Sequence, residues 1–243
     1  MDILEIRKIK KRFGGVLALD SLSLTIRKGE ITAVIGPNGS GKSTLINLLT
    51  GVVPWDQGVV AIDGVLISEL SMEEVAEYGI TRTFQEVRLF EQITVLDNIL
   101  VILTSRSLWG SILERHSKLH LKQAEDVLKT VGLWDKRGDL VVNLSYGQRK
   151  LLEISRALAM KAEIYLFDEP FAGLFPEMTK LVASVLEGLR VQGKTVVLIE
   201  HNMDLIRQLS DWVCVLDGGT LLAEGRPEVV LSQREVIEAY LGD

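Results

Sequence analysis

An α/β fold built on a parallel sheet is predicted by three observations. ITAVI (31–35), IYLF (164–167) and TVVLIE (195–200) are short, mostly apolar runs of the kind that lie in a sheet buried on both faces. Between the last two lies PEMTKLVASVLEGLR, whose apolar residues recur at helical spacing, so the pair reads as a strand–helix–strand unit with Gly193 as helix stop. Each run gives way to glycine or to charged and imidazole groups. Parallel sheets bind their ligands beyond the carboxyl ends of the strands, which is where those groups fall.

In chain order, Leu22, Leu24 and Ile26 alternate with Ser23, Thr25 and Arg27, and VVAIDGVLI (59–67) places an Asp63-Gly64 turn between two alternating runs. Both patterns predict antiparallel strands. The basic cluster Lys8, Lys10, Lys11 and Arg12 is expected at a solvated strand end. Leu45, Ile46, Leu48 and Leu49 predict a helix that stops at Gly51. From about residue 86 to residue 160 the patterns turn helical, in HLKQAEDVLKTVGL and QRKLLEISRALAM, and predict a helical lobe. VCVLDGGTLLAEG predicts a hairpin turning at Gly218-Gly219, and two short helices are expected from Pro227 onward. The expected organisation is a single domain over residues 1–243, with a core at about 1–85 and 161–243 and a lobe at about 86–160.

A formal net charge of -6 argues against a general affinity for nucleic acid, which needs a basic stripe, so no nucleic-acid partner is expected. The single cysteine, Cys214, excludes an internal disulfide, suits a reducing cytoplasm and is expected to be a small buried hydrophobe. No signal peptide is expected ahead of the first strand. Nor does any stretch approach the roughly 20 apolar residues that cross a bilayer. The best candidate, VLDNILVILT, is broken by Asp97 and Asn98, so docking on a membrane protein is open to the chain but spanning is not.

GPNGSGKST (36–44) sits between the first apolar run and its helix. Gly36, Gly41, Lys42 and Ser43 fit G-x-x-x-x-G-K-[ST] in the strand and helix context that the motif requires. With no side chains in the way, the backbone N–H groups of Gly39, Ser40, Gly41, Lys42, Ser43 and Thr44 can converge on a polyphosphate, aided by the helix dipole. Lys42 would reach the β and γ phosphates. Ser43 is placed to ligate the Mg²⁺ that accompanies ATP or GTP, a hard cation that prefers oxygen. The expected fold is therefore a P-loop NTPase with a parallel core sheet, an antiparallel β subdomain and a helical lobe.

IYLFDEP delivers two carboxylates at a strand end. Asp168 is the expected metal partner, and Glu169 the general base on the attacking water. His201 directly follows an apolar strand, where an imidazole can hydrogen-bond the γ phosphate and the water. His116 and His120 lack such a placement and are expected to be solvated. NLSYGQRKLLEISRALA sets Ser145 and Gly147 just before a long amphipathic helix, a second potential anion site in one chain. That duplication is explained if Ser145 and Gly147 address a γ phosphate held by another copy.

At these residues the sequence resembles the ATP-binding cassette (ABC) ATPases, and the resemblance covers essentially the whole chain. It implies that Phe13 stacks on adenine, that Gly36, Pro37, Asn38, Gly39, Ser40, Gly41, Lys42 and Ser43 form the Walker A loop, and that Gln85 touches Mg²⁺. It also implies that Asp168 and Glu169 complete Walker B, that His201 is the switch histidine, and that Ser145, Gly147 and Gln148 belong to the signature. The implied catalytic set is Glu169, His201, Gln85 and Lys42. Two positions depart from the family pattern: Tyr146 replaces the first glycine of the signature, and Phe175 stands where an aspartate is usual. RTFQEVRLFEQITVLDNI, LSYGQRKLLEISRALA, DEPFAGL, EHNMDLI and AYLGD look most like the ATPases of branched-chain amino acid importers, with lipopolysaccharide-export ATPases as the alternative.

The partners so implied are integral membrane transporter subunits and a second ATPase subunit, with the chain peripheral on the cytoplasmic face of the inner membrane. Val87, Leu89, Phe90, Ile93, Val95 and Leu96 are candidates to line a groove for a membrane-subunit helix. A soluble ABC protein would normally join two cassettes or insert a long coiled coil, and a stand-alone P-loop kinase or GTPase would not need LSYGQ.

Overall fold

The computed structural model describes residues 1–85, 87–103 and 118–241, and its chain divides into two compact units. The first comprises Met1–Arg82, Glu163–Glu169 and Leu186–Asp243, the second Thr83–Ala162 and Pro170–Val185. His116 lies outside the described residues.

Two sheets build the first unit. An antiparallel sheet of order β2-β1-β4-β5 is formed by β1 (Asp2–Phe13), β2 (Val16–Arg27), β4 (Gln57–Ile62) and β5 (Val65–Ile67). Asp63 and Gly64, both at positive φ, make the turn that joins the last two. The larger sheet has the order β10-β9-β3-β8-β7-β6. In it β3 (Ile31–Ile35), β6 (Ile80–Arg82), β7 (Ile164–Asp168), β8 (Thr195–Ile199) and β9 (Trp212–Asp217) are parallel, and β10 (Thr220–Gly225) closes one edge antiparallel. Gly218 and Gly219, again at positive φ, make that hairpin's turn.

Why the central strands are apolar throughout is plain from what covers them. Val34 of β3 packs with α1 (Lys42–Leu49), which buries Leu45, Ile46, Leu48 and Leu49 in a cluster shared with the antiparallel sheet. Its neighbours Ala33 and Ile35 point to the opposite face and pack with Ile206, Val230 and Val236. Those last three belong to α6 (Met203–Leu209), α7 (Pro227–Val230) and α8 (Arg234–Leu241). Each fully buried Leu or Ile contributes roughly 1.5–3 kcal/mol.

The basic cluster runs to the end of β1 with Lys8 and Arg12 exposed, but Lys11 is not solvated as expected. β1 is hydrogen-bonded on both sides, so Lys11 is 8% exposed and paired with Asp56 at 2.9 Å, while Lys8 sits in a bulge at φ 52°.

The second unit is helical, built on α2 (Val95–Leu103), α3 (Lys118–Thr130) and α4 (Tyr146–Ala159), with α5 (Pro176–Val191) beginning in it. Val95 is buried in the core, Val87, Leu89, Ile93 and Leu96 are half-buried, and Phe90 is 50% exposed. Asn98, read as an interruption of an apolar run, is fully buried and bonds both the N–H and the C=O of Phe90 at 3.0 Å. His120 is half-buried on α3 rather than solvated.

Candidate nucleotide site

Because β3, β8 and β7 are parallel neighbours, their carboxyl ends bring three sequence-distant segments of the first unit to one edge. These are the loop at 36–44, Glu200-His201, and Asp168-Glu169. The loop folds without help from its side chains. Gly41 stands at the N-cap of α1 with φ 104°, no side chain caps the helix, and no acidic residue lies in its first turn. The orphan amides of that turn and the positive end of the dipole therefore remain available to an anion. A Cβ at Gly41 would lie 2.7 Å from Leu19 Cδ2 and 2.8 Å from Ala18 O, so the hairpin that carries Phe13 runs alongside the loop. A Cβ at Gly39 would meet nothing within 4 Å, which leaves the crest of the loop open.

Lys42 is turned back onto its own loop. Its Nζ donates to Gly36 O at 2.7 Å and to Pro37 O at 2.9 Å, and burial lowers its pKa against the pull of Glu169 and Asp168. Ser43, next on the helix, is exposed. Phe13 is 46% exposed at the tip of its hairpin, with Lys11 Nζ 5.3 Å from the ring centre.

Asp168 is 4% exposed and faces Arg82 Nη2 at 3.6 Å. Glu169 holds φ 48°, an uncommon conformation for a non-glycine residue, and its N–H donates to Ile199 O at 3.0 Å. That hydrogen bond spans to the next strand and helps to hold the strained turn, which directs the carboxylate to His201. Glu169 Oε1 lies 3.1 Å from His201 Nε2, and a carboxylate can only accept there, so Nε2 carries the hydrogen. His201 is itself fixed from behind, since Glu200 Oε2 accepts from the N–H of His201 at 2.7 Å and of Asn202 at 3.1 Å.

Ser43 and Asp168 present a hydroxyl and a carboxylate, the oxygen donors a hard divalent cation takes. Among the described residues no three His, Cys, Asp or Glu side chains gather into a self-sufficient metal cage. A hydroxyl and a carboxylate fit a Mg²⁺ ion whose remaining ligands come from phosphate oxygens and water.

Gln85, Ser145, Gly147 and Gln148 belong to the second unit. Ser145 is the N-cap of α4: its Oγ accepts from Gln148 N at 3.3 Å, while Gln148 Oε1 accepts from Ser145 N at 3.0 Å, a reciprocal capping box. Tyr146 is the first helical residue, so no positive φ is required where the family has glycine. Its ring instead covers Gly173, where a Cβ would come within 2.8 Å of Tyr146 Cε1. At Gly147 a Cβ would lie 2.5 Å from Met178 Sδ, so a larger residue there would have to displace that side chain. Phe175, in the loop after Gly173, is 75% exposed.

Sequence reasoning missed Arg82, Glu200 and Tyr240. Glu200 was in view as a carboxylate closing an apolar strand. Tyr240 carried no such signal. Its phenol is buried beside the backbone amide of Gly36 at the foot of the loop, and burial pushes its pKa up to about 12 against the pull of that amide.

The fold is that of the ATP-binding cassettes. A solved structure described as the ADP conformation of an ATP-binding cassette of an ABC transporter matches at TM-score 0.88, with 36% identity and full coverage of both chains. A dimeric cassette in a post-hydrolysis state, bound to ADP and Pi, matches at TM-score 0.81 with 27% identity, covering 92% of this chain and 98% of that one. The family profile for ABC transporters matches residues 19–172, and that for branched-chain amino acid ATP-binding cassette transporters matches residues 220–243. The chain belongs to the ABC transporter family. The high-affinity branched-chain amino acid transport ATP-binding protein LivG of Salmonella typhimurium is 38% identical over 250 aligned positions, covering 99% of this chain and 98% of the relative.

Proposed function

We infer that this chain is the ATP-hydrolysing, energy-coupling subunit of a branched-chain amino acid importer. One observation carries the reading: similarity to a transport ATP-binding protein of that class runs the full length of both chains, and includes the C-terminal residues 220–243, which match a profile specific to it. That ending disfavours a lipopolysaccharide-export ATPase.

The roles we assign follow from the site's chemistry. Lys42 turns from the carbonyls of Gly36 and Pro37 to the β and γ phosphates, exchanging two neutral acceptors for charged ones. The amides of 39–44 hold the phosphate chain and Phe13 stacks on adenine. Ser43, Asp168 and Gln85 are the residues we assign to hold Mg²⁺, which when bound supplies positive charge to neutralise the phosphates. Glu169 accepts the proton of the attacking water. His201, whose imidazole hydrogen-bonds Glu169, orients that carboxylate.

Ser145, Gly147 and Gln148 serve the γ phosphate bound by a second subunit, a reading supported by the dimeric state of one structural relative. Among the described residues no helix is long and apolar enough to cross a membrane. Similarity to a transport ATP-binding protein supports placing the chain on the cytoplasmic face of the inner membrane through membrane subunits, with the half-exposed Phe90 as a contact.

Glu169→Gln tests the assignment. It should retain ATP binding, lose roughly 10²–10⁴ in hydrolysis rate, and run at doubled mass on size exclusion in ATP. A variant that stays at the mass of one chain in saturating ATP while hydrolysing normally overturns the reading. Uptake of leucine, isoleucine or valine by vesicles that hold the chain with its membrane subunits tests the substrate class.

A further inference from the structure

Helix α4 carries ionic side chains at 150, 153 and 156, a spacing that places them on one side of the helix. Lys150 is fully buried and Glu153 is 5% exposed, an arrangement proteins adopt only where the charges have partners. The partners here are backbone groups of a segment more than sixty residues away in sequence. Lys150 Nζ donates to Gln85 O at 3.4 Å, and Glu153 Oε1 accepts from Phe84 N at 3.0 Å. Arg156 Nη1 donates to Arg88 O. Arg88 in turn lays its guanidinium over the Phe84 ring at 4.2 Å.

The three side chains therefore pin both flanks of Gln85 to the helix that begins at Ser145. At 1.5 Å per residue, Lys150 stands only about 7 Å along the axis from that serine.

We propose that Lys150 and Glu153 are positioning residues, which hold the Gln85 backbone on α4 so that the metal-contacting glutamine and the signature serine are carried by one rigid element. The proposal rests on the assignment of Gln85 to Mg²⁺ given above. It goes beyond that assignment in naming the side chains that set where the glutamine can be.

The experiment compares wild type with Glu153→Leu, Glu153→Gln and Lys150→Met. Amide exchange is followed by mass spectrometry in the nucleotide-free protein, nucleotide affinity is measured in EDTA, and ATPase rate is titrated with Mg²⁺. In Glu153→Leu the Phe84 amide should exchange about tenfold faster. Its half-saturating Mg²⁺ should rise about tenfold, the low end for loss of an outer-shell partner, while affinity in EDTA stays within about twofold. Lys150→Met should shift Mg²⁺ in the same direction, and Glu153→Gln, which keeps an acceptor oxygen, should recover most of the loss.

Unchanged Mg²⁺ dependence in both the Leu and the Met variants overturns the proposal, as does an equal loss of EDTA affinity, which would mean general damage. Should those variants fail to fold, an unprotected Phe84 amide in the wild-type protein overturns it alone. A wild-type protein with no Mg²⁺-dependent ATPase would instead sink the functional reading.

Discussion

Two helices in this chain open with a serine and glycines, and their first turns are finished in opposite ways. α1 begins at Gly41 with no side-chain cap, so its leading amides are committed to nothing in the protein. α4 begins at Ser145 with a capping box closed on Gln148, so two of its groups are already satisfied. The dipole favours an anion at both ends, but only the first leaves its cap position uncommitted. At the second, Ser145 Oγ already accepts from Gln148 N at 3.3 Å, which fixes the hydroxyl while its own O–H can still donate to a ligand. An open end suits a site that binds on its own, and a closed end suits one engaged only when a phosphate is brought to it.

The comparison breaks first at Gly41. A Cβ there strains φ 104° and collides with Leu19 and Ala18, at a cost of about 2–5 kcal/mol. Gly41→Ala should therefore abolish nucleotide binding by calorimetry. Gly39→Ala, which meets open space, should lose only about 1–2 kcal/mol to its φ of 80°. Equal affinity in the two variants would show that loop shape does not set the site.

A smaller effect is expected at the closed end. Ser145→Ala removes the cap, which costs about 1 kcal/mol and lowers Tm by roughly 2–4 °C in a chain of this size. Nucleotide affinity of the lone protomer should not change, while the dependence of hydrolysis on protein concentration should weaken. A lone protomer that loses affinity on this substitution would mean that the two ends are alike after all.

What could be read in the sequence divides along the same physical line. The loop, the strand ends that carry Asp168, Glu169 and His201, and the Asp63-Gly64 and Gly218-Gly219 turns are local patterns, each set by residues adjacent in the chain. Arg82 against Asp168, and Lys150 and Glu153 against the backbone of Gln85 and Phe84, join residues 65 to 86 positions apart, which no periodicity reports. Tyr146 was legible as a departure but not in its consequence. A tyrosine there already puts a positive-φ requirement in doubt, and the residue is helical; what could not be read is that the ring's effect falls on Gly173, at φ 71°. Lys11 shows the converse: a basic run reads as solvated until the strand that holds it proves to be paired on both sides.

The smallest expected effect is a pH dependence that belongs to the closed helix. Burial raises the pKa of Glu153 above its ordinary 4.5, opposed by the amide of Phe84, by Lys150, by the amide of Arg88 and by Arg156. Across the window from 4.5 up to that higher value the folded chain holds more protons than the unfolded one, so this group's contribution to stability falls as pH rises. Glu153→Gln cannot titrate, and groups common to both proteins cancel in the difference. The Tm of the variant minus that of wild type should therefore climb as pH is raised from about 4.5 to about 7.5. A difference that falls over that interval would mean that the carboxylate gains more from Phe84, Lys150, Arg88 and Arg156 as an anion than burial takes away.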